Sequence, residues 1–214
     1  GGSAGENLFI MDNLEIPNPN HFGRVGAGGG PINLINSDFI DKIDFFAGGF
    51  PAKYGDKQSS VMDVTLREGN KQNHEIKAEA NMAGLGLTME GPLIKNRASY
   101  MGSYKKSFLK YVIKSAGLTA IPEYWNGQTK VVYYINNKEK LTFNFITGDD
   151  IVKVDDESRP DLPNADLVDH HGNQATYGLT YKSLFSSKGY FQLTLAKSSS
   201  EWNNDIYKIV NGNK

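Results

Sequence analysis

The chain has 214 residues, with 23 basic and 24 acidic side chains and a net charge of -1. That balance argues against a nucleic-acid partner, which calls for a basic excess, and the absence of cysteine excludes disulfides, thiolate zinc sites and cysteine nucleophiles. No apolar run approaches the ~20 residues of a membrane-spanning helix. The mean hydropathy of -0.46 does not separate a soluble β protein from a transmembrane β-barrel, whose strands alternate lipid-facing and lumen-facing residues. Gly1-Gly2-Ser3 opens the chain with none of the features of a signal peptide.

In chain order, Asn7 to Ile16 is apolar and reads as a strand. Pro17 to Pro31 is a long glycine-rich loop. Ser37 is placed to cap a short helix over Ser37 to Lys42, with Asp38 and Asp41 near its start. Ile43 to Ala47 is a short strand, Gly48 to Ser59 a second loop, and Val61 to Leu66 an alternating strand.

Beyond Asn70 the pattern becomes regular. Ile76, Ala78 and Ala80 alternate with charged residues, and Leu85, Leu87 and Met89 with Gly86, Thr88 and Glu90. The same period of two recurs around Tyr100 and Tyr104, Leu141 to Phe145, Tyr177 to Tyr181 and Phe191 to Leu195, while Lys130 to Ile135 is the least clean. Seven candidate strands result, the last ending near Trp202. Short polar links at Ile94 to Arg97, Asn136 to Lys138 and Ser186 to Gly189 alternate with long ones at Ser107 to Tyr124 and Asp149 to Gly172. This alternation puts the short turns at one end of the sheet, as in outer-membrane barrels. An open sheet with two free edges is a poor final state, so further strands are expected to complete it.

Several segments carry chemistry. His21, Phe22 and Arg24 supply an imidazole, a stacking ring and a cation in the first loop, whose glycines also read simply as turn formers. Gly26 to Gly30 lacks the lysine and Ser/Thr of a phosphate loop, and Pro31 spoils a dinucleotide fingerprint. Between Asp149 and Gly172 lie Asp149, Asp150, Asp155, Asp156, Glu157, Asp161, Asp166 and Asp169, followed within the same stretch by His170 and His171. So dense a set of carboxylates suits either a solvated outer loop or a Ca²⁺ or cationic ligand, without EF-hand spacing. The two histidines, as strand neighbours, would point to opposite sides. Phe108 to Gly117 reads as a short loop helix with an apolar face for a neighbour or partner. The strand tyrosines Tyr100, Tyr104, Tyr133, Tyr134, Tyr177 and Tyr181 suit interfacial girdles or ordinary sheet packing. No nucleophile–base order or metal motif marks an enzyme.

Three ordered segments carry a family resemblance. Gly1 to Asp12 (GGSAGENLFIMD) resembles the plug segment of TonB-dependent receptors that runs Arg-Gly-Gly-Ser and then, after an asparagine and apolar residues, Leu-Asp-Gly. Asn13 stands at the glycine of that pattern. Phe39 to Gly55, ending in Tyr54-Gly55, is similar to a later plug segment, and Ser59 to Gly69 to the last plug strand; Gly84 to Leu93 resembles the branch common in Bacteroidota. The resemblance implies a mainly β fold: residues 1–69 as the C-terminal part of a small α+β plug, and 70–214 as the first ~7 strands of an antiparallel transmembrane barrel of about 22 strands. It makes Asp12, Tyr54 and Gly55 plug-signature residues and puts His21, Phe22 and Arg24 at the plug apex where ligand lands.

The resemblance further implies an outer-membrane location in a Gram-negative bacterium and uptake of a siderophore, vitamin, glycan or peptide. The partners implied are outer-membrane lipid and a TonB-type energy-coupling protein, whose contact segment is absent here. No cofactor is implied beyond Ca²⁺ in the acidic loop. The alternative function is a barrel serving as binding and assembly partner for a surface lipoprotein. Ala47-Gly48-Gly49 departs from the Arg-Gly-Pro of many siderophore receptors, which leaves the ligand class open.

Overall fold

The computed structural model describes residues 4–23, 29–55, 57–81, 84–108, 120–154, 166–186 and 189–208. Strand β1 (Asn7–Met11) turns back at once into β2 (Leu14–Glu15), so the single strand expected over Asn7 to Ile16 is a hairpin. The turn is Asp12-Asn13, with φ of 48° and 70°. A two-residue hairpin turn of this kind needs positive φ at both central positions, a conformation Asn and Asp tolerate best after glycine. Strands β3 (Asn20–His21) and β4 (Ile32–Asn33) pair antiparallel and close the base of the glycine-rich loop.

The helix expected over Ser37 to Lys42 is a single 3₁₀ turn, Ser37–Phe39. Its cap is Asn36, whose side chain accepts from the Asp38 amide at 2.9 Å. The turn stops because β5 (Ile40–Phe46) begins at once and pairs antiparallel with β6 (Ser60–Leu66). Strand β1 then pairs parallel with β6, giving a four-stranded sheet of order β2-β1-β6-β5.

The remaining strands are β7 (Glu75–Asn81), β8 (Gly84–Ile94), β9 (Ala98–Lys106), β10 (Ala120–Tyr134), β11 (Glu139–Val154), β12 (Asp166–Ser186) and β13 (Gly189–Lys208). Each pairs antiparallel with its sequence neighbour in one seven-stranded meander. The strands are longer than the sequence pattern alone gives. Asp149, Asp150, Asp169, His170 and His171 lie within β11 and β12 rather than in a loop, because the ladder Asp149↔Asn173, Asp150↔Gly172, Ile151↔His171 supplies backbone partners that outweigh the poor strand propensity of aspartate. The link between β7 and β8 spans only residues 82–83, at the end of the sheet where the long connections lie, so the short–long alternation is not strict.

The two faces of the meander differ sharply. One is buried beneath the small sheet and is polar: Asn126, Gln128, Lys130, Thr142, Asn144, Gln174, Thr176 and Thr180 all lie under it. The other exposes Ile76, Leu85, Leu87, Met89, Phe143, Tyr177, Leu179, Leu193 and Leu195. This apolar band runs obliquely. Leu179 is level with Val131 through Phe143, whereas Leu87 is level with Gly127 through Tyr104, nearer the long-connection end. That is a climb of four residues, roughly 13 Å, over four strand steps, roughly 19 Å. The band thus climbs across the sheet, in keeping with strands that tilt so that an apolar band stays level in a membrane around a barrel.

The principal core sits between the two sheets. Met11, Ile16, Leu34, Ile35, Phe39, Val64 and Leu66 from the small unit pack with Met101 and Ile146 of the meander. A second cluster, Leu8, Tyr54 and Val61, lies within the small unit.

Candidate functional site

The interface between the small unit and the polar face of the meander is the site. Its contacts fall into three levels along the strands. Near the short turns, Arg67 donates to both carboxylate oxygens of Glu90, each at 2.6 Å, and the Asn70 amide donates to the same group at 2.8 Å. This bidentate fork is the geometry guanidinium makes best. Beside it Glu68 receives the Tyr134 hydroxyl at 2.8 Å, Lys140 at 3.0 Å and Lys71 at 2.6 Å. Burial pushes the Glu68 carboxyl up, but hydrogen bonds from Lys71, Lys140 and Tyr134 outweigh it and bring it down to about 2.

One level higher, Lys130 on β10 reaches the Leu66 carbonyl at 2.6 Å and the Asp12 carboxylate at 2.7 Å. The other Asp12 oxygen accepts from the Leu66 amide at 3.0 Å. A cavity of about 420 Å³ opens at this level, lined among others by Asp12, Arg67, Glu68, Lys130, Lys140 and Lys182. Its walls carry both signs of charge, and most of these groups are already paired across the interface.

At the highest level, His21 is fully buried. Its Nδ1 lies 3.2 Å from Asp150 Oδ1, its Nε2 lies 3.3 Å from the Asn126 amide nitrogen, and its ring stacks obliquely 4.7 Å from Tyr124. Asp150 also faces His170, with Oδ2 and Nε2 3.3 Å apart. His171 points the other way, to Asp149 at 2.9 Å, as strand geometry requires. The Asn18 amide donates to Gln174 at 3.2 Å.

No family model matches the chain. The TonB-dependent transporter Oar of Myxococcus xanthus is 20% identical, the match covering 52% of this chain and 12% of that protein. The crystal structure of the siderophore receptor PirA from Pseudomonas aeruginosa matches with a TM-score of 0.60 at 12% identity, covering 94% of this chain and 34% of that one. The fold is that of part of such a receptor, the third of PirA that this chain covers. The chain spans about an eighth of the curated relative and a third of the solved one. One is described as a transporter and the other as a receptor.

Within this receptor fold the residues singled out in the sequence fall in different places. Asp12 sits in the hairpin turn and is gripped by Lys130. Tyr54 is buried and donates to Asp63 at 2.7 Å, with the Lys53 ammonium 4.3 Å above its ring. Gly55 is exposed with open space around it, and nothing in the structure explains a glycine there. His21 and Phe22 come together with Tyr124, Phe22 meeting it edge-on at 6.0 Å. Phe22 has a φ of 59°, a strained conformation for an aromatic residue and one that tends to mark functional loops. Arg24 lies outside the described residues, as do Asp155, Asp156, Glu157 and Asp161 of the acidic stretch and nearly all of Phe108 to Gly117. Among the described residues no cluster of three His, Asp or Glu is arranged to hold a metal ion.

The meander-side partners Glu90, Asn126, Lys130 and Gln174 are not marked as site residues by the sequence, whereas Asp150 belongs to its acidic stretch. Each is a polar residue at an alternating strand position, the one signal the sequence offers for a lumen-facing side chain.

Proposed function

We propose that this chain is part of a TonB-dependent receptor in the outer membrane of a Gram-negative bacterium. Residues 1–69 form the C-terminal part of the plug, and 70–214 the first strands of a barrel that further chain completes. The receptor takes up a scarce ligand, and a TonB-type protein supplies the energy. The observation that carries this reading is the two-faced meander: its polar face is covered by the small unit, and its other face exposes an apolar band.

His21, Phe22 and Arg24 belong to the apex loop that meets ligand. His21 anchors the loop to the wall through Asp150 and Asn126, so a ligand contacting Phe22 or Arg24 would be felt at that anchor. Gly84 to Leu93 supports placement in the branch common in Bacteroidota. The test is fractionation of cells expressing the natural gene product, followed by uptake with and without TonB. An outer-membrane, heat-modifiable protein with TonB-dependent uptake fits the proposal. A product found in the soluble fraction would overturn it.

A further inference from the structure

Two glycines on the lumen face of the wall stand where the plug comes closest. A Cβ built at Gly148 would lie 2.3 Å from Leu34 Cδ1 and 2.8 Å from His21 Cε1. One built at Gly178 would lie 2.5 Å from Leu14 Cδ2. Real side chains do not tolerate such distances, so the small-unit residues would have to shift within a packed interior, where Leu34 is 2% exposed, Leu14 1% and His21 0%. Glycine weakens a strand interior and commonly marks a close approach from outside the strand. By contrast Gly127, on the lipid-facing side of β10, has nothing closer than 3.6 Å to an added Cβ.

Register shows how these two positions are organised. Asn126, Gly148 and Gln174 form one row across β10, β11 and β12. Asn126 meets His21, Gly148 receives Leu34, and Gln174 accepts from the Asn18 amide. Lys130, Asn144 and Gly178 form a second row. There Lys130 holds Asp12 in the hairpin turn and Gly178 receives Leu14, the first residue after it. The rows are four residues apart along β11, roughly 13 Å. Each row joins a polar grip to a side-chain-free notch.

We propose that Gly148 and Gly178 are seats for the plug, two notches that fix its height and rotation against the wall. Leu34 with His21 fills the upper one and Leu14 the lower. Two contacts about 13 Å apart stop a rigid unit from both sliding and turning, which one contact would not do. The proposal rests on the plug-and-wall reading above.

Hydrogen exchange on the intact receptor tests it. Gly148→Ala is expected to speed exchange of the β3–β4 amides about tenfold, a typical overpacking effect, and Gly178→Ala that of the β1–β2 amides. Gly127→Ala should change neither. Because a Cβ at Gly178 would also lie 2.9 Å from the Leu195 carbonyl oxygen, the plug's part is isolated by reciprocal variants. Leu34→Ala should restore protection in Gly148→Ala, and Leu14→Ala in Gly178→Ala, so that each double variant is less perturbed than its two singles predict. Native protection in folded Gly148→Ala, or loss spread evenly over plug and wall with no rescue by the partner variant, would overturn the seats. Should Gly148→Ala not fold, Leu34→Ala with and without it decides the case, since the seat requires the pair to fold better than Gly148→Ala alone. Failure of TonB-dependent uptake in the native receptor would sink the function proposed above and leave the exchange result standing.

Discussion

Lys130 on β10 and Asp12 in the β1–β2 turn lie 2.7 Å apart, with their side chains only 6% and 10% exposed. The two charges are out of water together, and Lys130 has the Leu66 carbonyl as a second partner. Removing one member of such a pair strands the other. Lys130→Met is expected to weaken docking of the small sheet on the meander by about 3–5 kcal/mol, and the double variant Lys130→Met with Asp12→Asn by much less. Exchange protection of the β1 and β6 amides in the two variants checks this. Equal loss in both would mean the pair is not the source of the stability.

Glu68 predicts an acid response. Its carboxyl is lowered from 4.5 to about 2 in the folded chain. A group with a depressed folded pKa binds protons more readily when unfolded, so its stabilising contribution is complete above about 4.5 and is lost as pH falls toward 2. The segment around Glu68 should therefore loosen over that interval, and Glu68→Gln should flatten the dependence while lowering protection at neutral pH. Exchange of residues 60–72 from pH 6 downward, corrected for intrinsic rates, is the measurement.

The hairpin turn offers a backbone test. Asn13 is exposed and has a φ of 70°. Asn13→Gly should hold or raise stability by up to about 0.5 kcal/mol, whereas Asn13→Val, β-branched and intolerant of positive φ, should lose about 1–3 kcal/mol. Thermal unfolding of the two variants separates them, because neither removes a buried contact.

The apolar band makes the membrane claim quantitative. Leu179 is exposed on the outer face, level with Phe143 and Leu195. Leu179→Arg should impair assembly by about 2–4 kcal/mol if the band meets hydrocarbon. Refolding yield into lipid vesicles reads this directly. A yield matching the native protein would place the band outside the bilayer.

Much of this architecture is legible in the chain itself. Alternation of apolar and polar residues determines seven strands with one apolar face, because side chains on a strand alternate sides whatever the strand pairs with. The Asp12-Asn13 turn was missed for a local reason: Asn7 to Ile16 is apolar enough to hide a two-residue reversal. The strand ends are hidden for a non-local one, since Asp149 and Asp150 enter β11 through partners that β10 and β12 both offer.

The site belongs almost wholly to tertiary structure. Periodicity places Glu90 on a polar face, but only packing of the small sheet on the meander decides that Arg67 meets Glu90 and that Lys130, at the start of the least regular strand pattern, meets Asp12. His21 reads as a residue for a ligand, yet folding carries it 129 positions along the chain to Asp150. Gly148 and Gly178 look like weak points in strands until Leu34, His21 and Leu14 of the small unit are laid over them. The pattern along a strand records which side a residue faces. What it faces depends on contacts between distant segments, and those exist only once the two sheets have packed.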